Sequence, residues 1–156
     1  MKVRQGKRED SRAFLGLVDA LAAYEKLGPP TRAGKARLVR DIFDRKIVRL
    51  LVAEDGKKLL GYALYFFTYS SFLAKPTLYL EDLFVLESER GLGAGKSLFR
   101  ECVRLAKKNG CGRMEWAVLT WNSPAIRFYE GMKAKRLSDW YVYRLDERAI
   151  DAISRA

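Results

Sequence analysis

Tyr79-Leu80-Glu81-Asp82-Leu83-Phe84-Val85 runs through a short polar turn into Arg90-Gly91-Leu92-Gly93-Ala94-Gly95, and Lys96 to Lys108 follows. The first run has the apolar residues of a strand, interrupted by two adjacent acids. The second holds more glycine than a tight turn requires. The third repeats apolar residues at helical spacing until Asn109-Gly110 stops it. A strand, a glycine loop and a helix in that order leave unpaired backbone N–H groups and the positive end of a helix dipole facing one small space. Such a space suits a phosphate.

Two better-known phosphate loops fit less well. Lys96-Ser97 gives the stretch the look of a nucleoside-triphosphate P-loop, but that motif needs a glycine five residues before Gly95, and position 90 is Arg. Gly91-x-Gly93-x-Gly95 also lacks the final two-residue gap of the dinucleotide fingerprint.

At 156 residues, 49% hydrophobic and 31% charged, the chain has the composition of one globular domain. No apolar run reaches the roughly 20 residues of a membrane span, and Met1-Lys2-Val3-Arg4 leads into no signal-like apolar core. A cytoplasmic protein with no membrane partner is expected. Cys102 and Cys111 are the only cysteines and histidine is absent, which excludes the usual Cys/His zinc patterns and any histidine base. No metal is expected. Cys102 falls on the apolar side of its helix and reads as a buried, inert thiol. Acid–base work then falls to Glu, Asp, Tyr, Lys, Cys or water. The net charge of +11 is scattered through the chain; it permits nucleic-acid binding, or the attraction of a polyanion such as a nucleotide cofactor.

Elements follow in order. Lys2 to Gln5 alternates like a short strand. From Asp10 or Ser11, either a candidate N-cap, Phe14, Leu17, Val18, Leu21 and Ala22 recur at helical steps until Gly28-Pro29-Pro30. A second helix starts near Thr31 and buries Leu38, Val39, Ile42 and Phe43. Ile47–Ala53 and Leu59–Thr68 form a hairpin around Asp55-Gly56, with Gly61 a bulge or a point of close approach. Ser70 to Pro76 is a loop. Past Asn109, Met114–Leu119 is a strand, Ser123 caps a short helix that begins at Pro124, Trp140–Leu145 is a last strand and Ile150–Ile153 a helical turn. The order βααβββαβαβ indicates a mixed α/β sheet with helices on both faces.

Neighbouring residues on a strand point to opposite faces, so at most one of Glu81 and Asp82 faces a given cleft. An acid flanked by Leu80 and Leu83 can have a raised pKa and act as a base near neutral pH; it fits equally an edge acid in water or paired with Arg. Tyr129 lies on the short helix. A phenol with a pKa of about 10 can protonate a leaving thiolate, although Phe128-Tyr129 also suits a core.

Together these segments resemble a known family. Arg90-Gly91-Leu92-Gly93-Ala94-Gly95 is similar to the acetyl-CoA loop of the GCN5-related N-acetyltransferases, the GNAT superfamily. Trp121-Asn122-Ser123-Pro124-Ala125-Ile126-Arg127-Phe128-Tyr129 is similar to their second signature. Leu21 to Glu25, Gly61 to Tyr69 and Tyr79 to Val85 bring the resemblance closest to the spermidine/spermine and thialysine N-acetyltransferases, over roughly residues 3 to 145. It implies an α/β fold, a single domain with a mixed, mostly antiparallel central sheet flanked by helices on both faces. It also implies acetyl-CoA as cofactor. Leu83, Phe84 and Val85 would line the pantetheine arm through their backbone, as an added strand does. Arg90, Gly91, Leu92, Gly93, Ala94, Gly95 and Lys96 would hold the pyrophosphate, and Asn122, Ser123, Pro124 and Ala125 would touch the cofactor's other side. Tyr129, beside the cofactor, would be the general acid. Glu81 would bind the substrate amine or, through water, take its proton. Tyr24, Glu25 and Asp82 would help hold a cationic substrate, with Asp139 a looser match. Glu89 replaces a usual aromatic, and Lys133 stands where relatives place glycine.

The expected activity is direct acetyl transfer, in a ternary complex, to a diamine, polyamine or thialysine-like amine. A protein lysine or N-terminal amine is the alternative substrate. Outside enzymes, the alternatives are an acetyl-CoA sensor of the same fold and a basic nucleic-acid-binding module, against which the glycine loop argues. The resemblance implies a homodimer, which Trp140, Tyr141 and Tyr143 permit.

Overall fold

Two period-two runs, Leu59–Thr68 and Tyr79–Val85, carry enough apolar side chains on both faces to form the middle of a sheet covered on both sides. In the computed structural model, which describes residues 1–155, they do so. Two compact units make up the chain, Met1–Ala117 and Val118–Ala156. The first contains β1 (Lys2–Gln5), α1 (Ser11–Tyr24), α2 (Arg32–Phe43), β2 (Arg49–Asp55), β3 (Lys58–Ser70), β4 (Lys75–Val85), α3 (Ala94–Lys108) and β5 (Arg113–Glu115). The second contains α4 (Ser123–Gly131) and α5 (Glu147–Ser154). The sheet runs β1-β2-β3-β4-β5, antiparallel except for the parallel β4–β5 pair. The expected mixed, mostly antiparallel α/β sheet is therefore present.

Each face of this sheet has its own core. Phe14, Leu17 and Ile42 of α1 and α2 pack on Leu50, Val52, Tyr62, Leu64 and Phe84. Phe14 is fully buried and meets Tyr62 edge-on at 5.0 Å; burying such a ring contributes about 1.5–3 kcal/mol. The alternate residues Leu51, Ala53, Ala63 and Tyr65 point the other way and are also buried, beneath α3 with its Leu98, Phe99 and Cys102. Burial pushes the Cys102 thiol up to about 12, so it is the inert core residue the sequence suggested.

Several boundaries differ from the sequence expectation. The hairpin turn is Gly56-Lys57, one residue later, because β2 extends through Asp55; Gly56 takes φ +58°. The Ser70–Pro76 loop shrinks to residues 71–74 as β3 and β4 pair to Ser70 and Lys75. Asp10 is the N-cap residue of α1, but its carboxylate makes no cap bond and instead accepts the Lys7 N–H and the Arg4 guanidinium. Met114–Leu119 is a strand only to Glu115. Trp140–Leu145 is not a strand. Its apolar residues are 58–91% exposed and have no ladder among the described residues; strand propensity reflects packing on a half-buried sheet, not the sequence alone.

In the second unit, Lys133 follows α4 with φ +66°. A lysine Cβ crowds its own backbone there, at a cost of roughly 1–2 kcal/mol that glycine escapes. Lys133→Gly is expected to raise stability by about 1 kcal/mol in urea unfolding followed by circular dichroism. A loss of stability would show that the lysine side chain contributes more than its backbone costs.

Candidate active site

The glycine loop has the backbone of an anion cradle. Gly91 and Gly93 take φ +83° and +84°, and a Cβ built on either would meet nothing within 4 Å. Glycine is there for conformation and open space, not for packing. Gly93 is the N-cap of α3, and no side chain caps that helix. The first backbone bond of the turn is Ser97 N–H to Gly93 C=O, 2.9 Å, so the amides of Ala94, Gly95 and Lys96 precede the helical ladder and point out of its positive end. α3 begins at Ala94, two residues earlier than expected, which brings Gly95 and Lys96 into the first turn.

The strand that feeds the loop is bent by a bulge. β3 and β4 pair Leu64 with Asp82 and Tyr65 with Leu80, leaving Glu81 opposite no residue. Without the bulge Leu80 and Asp82 would share a face. With it, Leu80 stays under α3 beside Tyr65, whereas Asp82 turns with Leu64 to the α1/α2 face. Glu81 is exposed at the bend. Asp82 is half-buried, and the Tyr62 hydroxyl donates to its Oδ2 at 3.1 Å. Burial raises the Asp82 carboxyl to about 6; the Tyr62 bond opposes the rise, while the charges of Glu81 and Glu25 add to it. Glu25, just past the end of α1, is itself pushed up by burial. Three carboxylates thus share one negative neighbourhood.

Arg90 closes that neighbourhood on the loop side. Its Nε donates to the Val85 carbonyl at 3.1 Å, and its guanidinium lies 4.7 Å from the Tyr24 ring centre and 5.9 Å from that of Phe84. The side chain thus lies between α1 and β4. Beyond Tyr79, β4 pairs only with β3, since β5 ends at Glu115. The other edge of Leu83, Phe84 and Val85 has no strand partner among the described residues.

In the second unit Asn122 is 8% exposed and is itself the cap of α4, accepting the Ala125 N–H at 3.3 Å. The expected cap, Ser123, is the first helical residue and Pro124 the second. Tyr129 is half-buried on this helix, its ring 5.3 Å from Phe128. Asp139 is exposed in a bend.

Sequence reading missed Tyr62 as a site residue because it sits in an apolar strand pattern. Its one signal was a hydroxyl at a core position, which must find a partner.

A family model described as "Acetyltransferase (GNAT) family" matches residues 17–133. Thialysine N-epsilon-acetyltransferase of Bos taurus is 31% identical over 160 residues, spanning 95% of this chain and 94% of that protein. An L-ornithine N5-acetyltransferase of Arabidopsis thaliana is 44% identical over 95 residues, 61% of this chain and 42% of the relative. Among solved structures, one described as a probable acetyltransferase superposes with a TM-score of 0.83 at 20% identity, covering 94% of this chain and 97% of its own; it speaks for the fold alone. A match over most of the chain, with full-length similarity to an acetyltransferase at that identity, shows that the chain is an acetyltransferase belonging to the GNAT family.

Proposed function

We propose that the chain transfers acetyl from acetyl-CoA to a primary amine of a small cationic substrate, a diamine, polyamine or thialysine-like compound, by direct attack in a ternary complex. The observation that carries this reading is the carboxylate group of Glu25, Glu81 and Asp82. In a chain of net charge +11, burial first and then the charges of Glu81 and Glu25 raise the Asp82 pKa, and a cationic amine relieves that repulsion. The similar thialysine and ornithine acetyltransferases support an amine of this type.

The residues fit the cofactor. The open, positive-φ glycines and uncapped α3 turn suit a pyrophosphate, and the unpaired β4 edge suits an amide-bearing arm. When bound, acetyl-CoA supplies an acyl group activated as a thioester. Arg90 to Lys96 would hold the phosphates through backbone N–H groups, and Leu83, Phe84 and Val85 would orient the arm and offer a backbone N–H to oxyanion charge. Asn122 to Ala125 add contacts. Glu81 binds the amine or, through water, takes its proton, and Tyr24, Glu25, Asp82 and Asp139 help hold the cation. Tyr129 gives a proton to the leaving sulfur. Holding both reactants supplies much of the rate. We further place the chain in the cytoplasm as a single catalytic domain and a homodimer; no described helix is long and apolar enough to cross a membrane.

Steady-state assays with acetyl-CoA and a panel of putrescine, spermidine, thialysine, ornithine and lysine peptides test the substrate. Turnover of the small cations at least tenfold above the peptides is expected. Turnover of peptides alone would replace this reading with the protein-amine one.

A further inference from the structure

We infer that the Arg90 side chain is a positioning residue of the amine site: stacked on Tyr24, it fixes the end of α1 beside Glu25 and joins that position to the phosphate loop, so that cofactor and amine each favour the binding of the other. This step rests on the amine-acetyltransferase reading above and adds a route between its two sites. One residue belongs to both. The backbone of Arg90 ends the short helical turn Glu87–Glu89 and leads directly into Gly91 and Gly93, the positive-φ glycines of the cradle. Its side chain turns away from the loop. The guanidinium lies 4.7 Å from the centre of the Tyr24 ring and 5.9 Å from that of Phe84, and Nε donates to the Val85 carbonyl at 3.1 Å. Tyr24 and Phe84 are themselves ring neighbours at 6.5 Å. Because α1 ends at Tyr24, a cation against both rings fixes that end on β4.

Arg90 does not neutralise the acids of the amine site. Its carboxylate partner among the described residues is Glu87, at 3.4 Å. An exposed pair of that length contributes little, so the stack and the Val85 bond decide where the side chain lies. Glu25, the residue after Tyr24, is left to a substrate cation. Coupling follows from what each ligand orders. Glycine loses more freedom than any other residue on being fixed, and a Cβ on Gly91 or Gly93 would meet nothing within 4 Å. A pyrophosphate on the loop amides supplies that ordering, and with it the position of Arg90, Tyr24 and Glu25. An amine reaching Glu25 then meets a site already ordered, and linkage gives the cofactor the same advantage from the amine. A cation–π contact shifts such an equilibrium by about three- to thirtyfold. Lysine is a poor substitute, because the stack uses the planar guanidinium.

The experiment is calorimetric titration of the panel amine with the highest kcat/KM, into protein alone and into protein saturated with CoA, which has no acetyl group to transfer. In the wild type, CoA is expected to tighten amine binding about tenfold. Arg90→Met and Arg90→Lys should each cut that factor to about twofold or less, and should raise the amine KM about tenfold with kcat changed by no more than about threefold. Tyr24→Phe, which keeps the ring, should retain the factor. Tyr24→Leu should lose it, and Arg90→Met with Tyr24→Leu should lose no more than either alone, as one shared contact requires. A merely structural arginine would lower the unfolding midpoint and weaken both ligands while leaving the factor in place. No tightening in the wild type, a factor unchanged by Arg90→Met, or a loss confined to CoA affinity overturns this inference while the acetyltransferase reading stands. A folded wild type that binds CoA but acetylates no amine overturns both. Unfolding transitions of each variant separate a misfolded protein from an uncoupled one.

Discussion

Gly61→Val is expected to abolish folding at ordinary temperature or to lower stability by at least about 3 kcal/mol. Gly61 pairs with Ala53 on one side and Val85 on the other. A Cβ placed there would lie 2.4 Å from the Phe84 carbonyl oxygen and 2.9 Å from a Val85 methyl carbon. The oxygen belongs to backbone inside a ladder and cannot swing aside, so β4 must leave β3 where Leu83, Phe84 and Val85 meet the proposed cofactor arm. Overpacking usually costs 1–3 kcal/mol, and a branched side chain against a fixed carbonyl lies at or beyond the top of that range. Gly16→Ala supplies the control. Gly16 is exposed on α1 with nothing within 4 Å of its Cβ, and alanine there should stabilise by about 0.5–1 kcal/mol. Urea titrations of both variants decide the matter. A Gly61→Val protein as stable as the wild type would mean that β3 and β4 separate freely at this point, which the core beneath them does not allow.

The same strand shows what a sequence can and cannot disclose. The glycine loop was legible because its signals are local: a strand pattern, clustered glycines and a helical repeat follow one another within about thirty residues. Gly61 was legible as a point of close approach, since a glycine inside a strand pattern calls for one. The bulge at Glu81 was not, because a bulge is a property of two strands in register and leaves no mark on either alone. Alternation assigned Glu81 and Asp82 to opposite faces but left open which face each takes; the pairing of Asp82 with Leu64 decides it. The orientation of the Arg90 side chain was not legible for a related reason. Its place in the loop was clear, while the Tyr24 ring against which its guanidinium lies is far away in sequence. The failed strand at Trp140–Leu145 makes the opposite point. Three aromatics and a valine give strand propensity, but propensity needs a neighbouring edge, which no residue in the segment encodes.

Tyr129→Phe is expected to lower kcat about 10³-fold while changing the Kd for acetyl-CoA by less than twofold. The substitution removes one hydroxyl and keeps the ring, so the 5.3 Å contact with Phe128 and the Asn122 cap of α4 survive. Unfolding stability should therefore fall by no more than about 1 kcal/mol. A proton donor acts in the transition state rather than in the bound ground state, so its loss belongs in kcat. General acid catalysis contributes 10²–10⁴-fold, and the middle of that range applies when the leaving group is a poorly acidic thiol. The dependence on the leaving group separates this role from simple packing. With an acyl donor whose thiol is more acidic, departure needs less help, and the gap between Tyr129→Phe and the wild type should narrow to about tenfold. A packing defect would slow both donors alike. Equal losses with the two donors, or unchanged turnover with acetyl-CoA, would remove Tyr129 from the chemistry and leave the departing sulfur to be protonated by water.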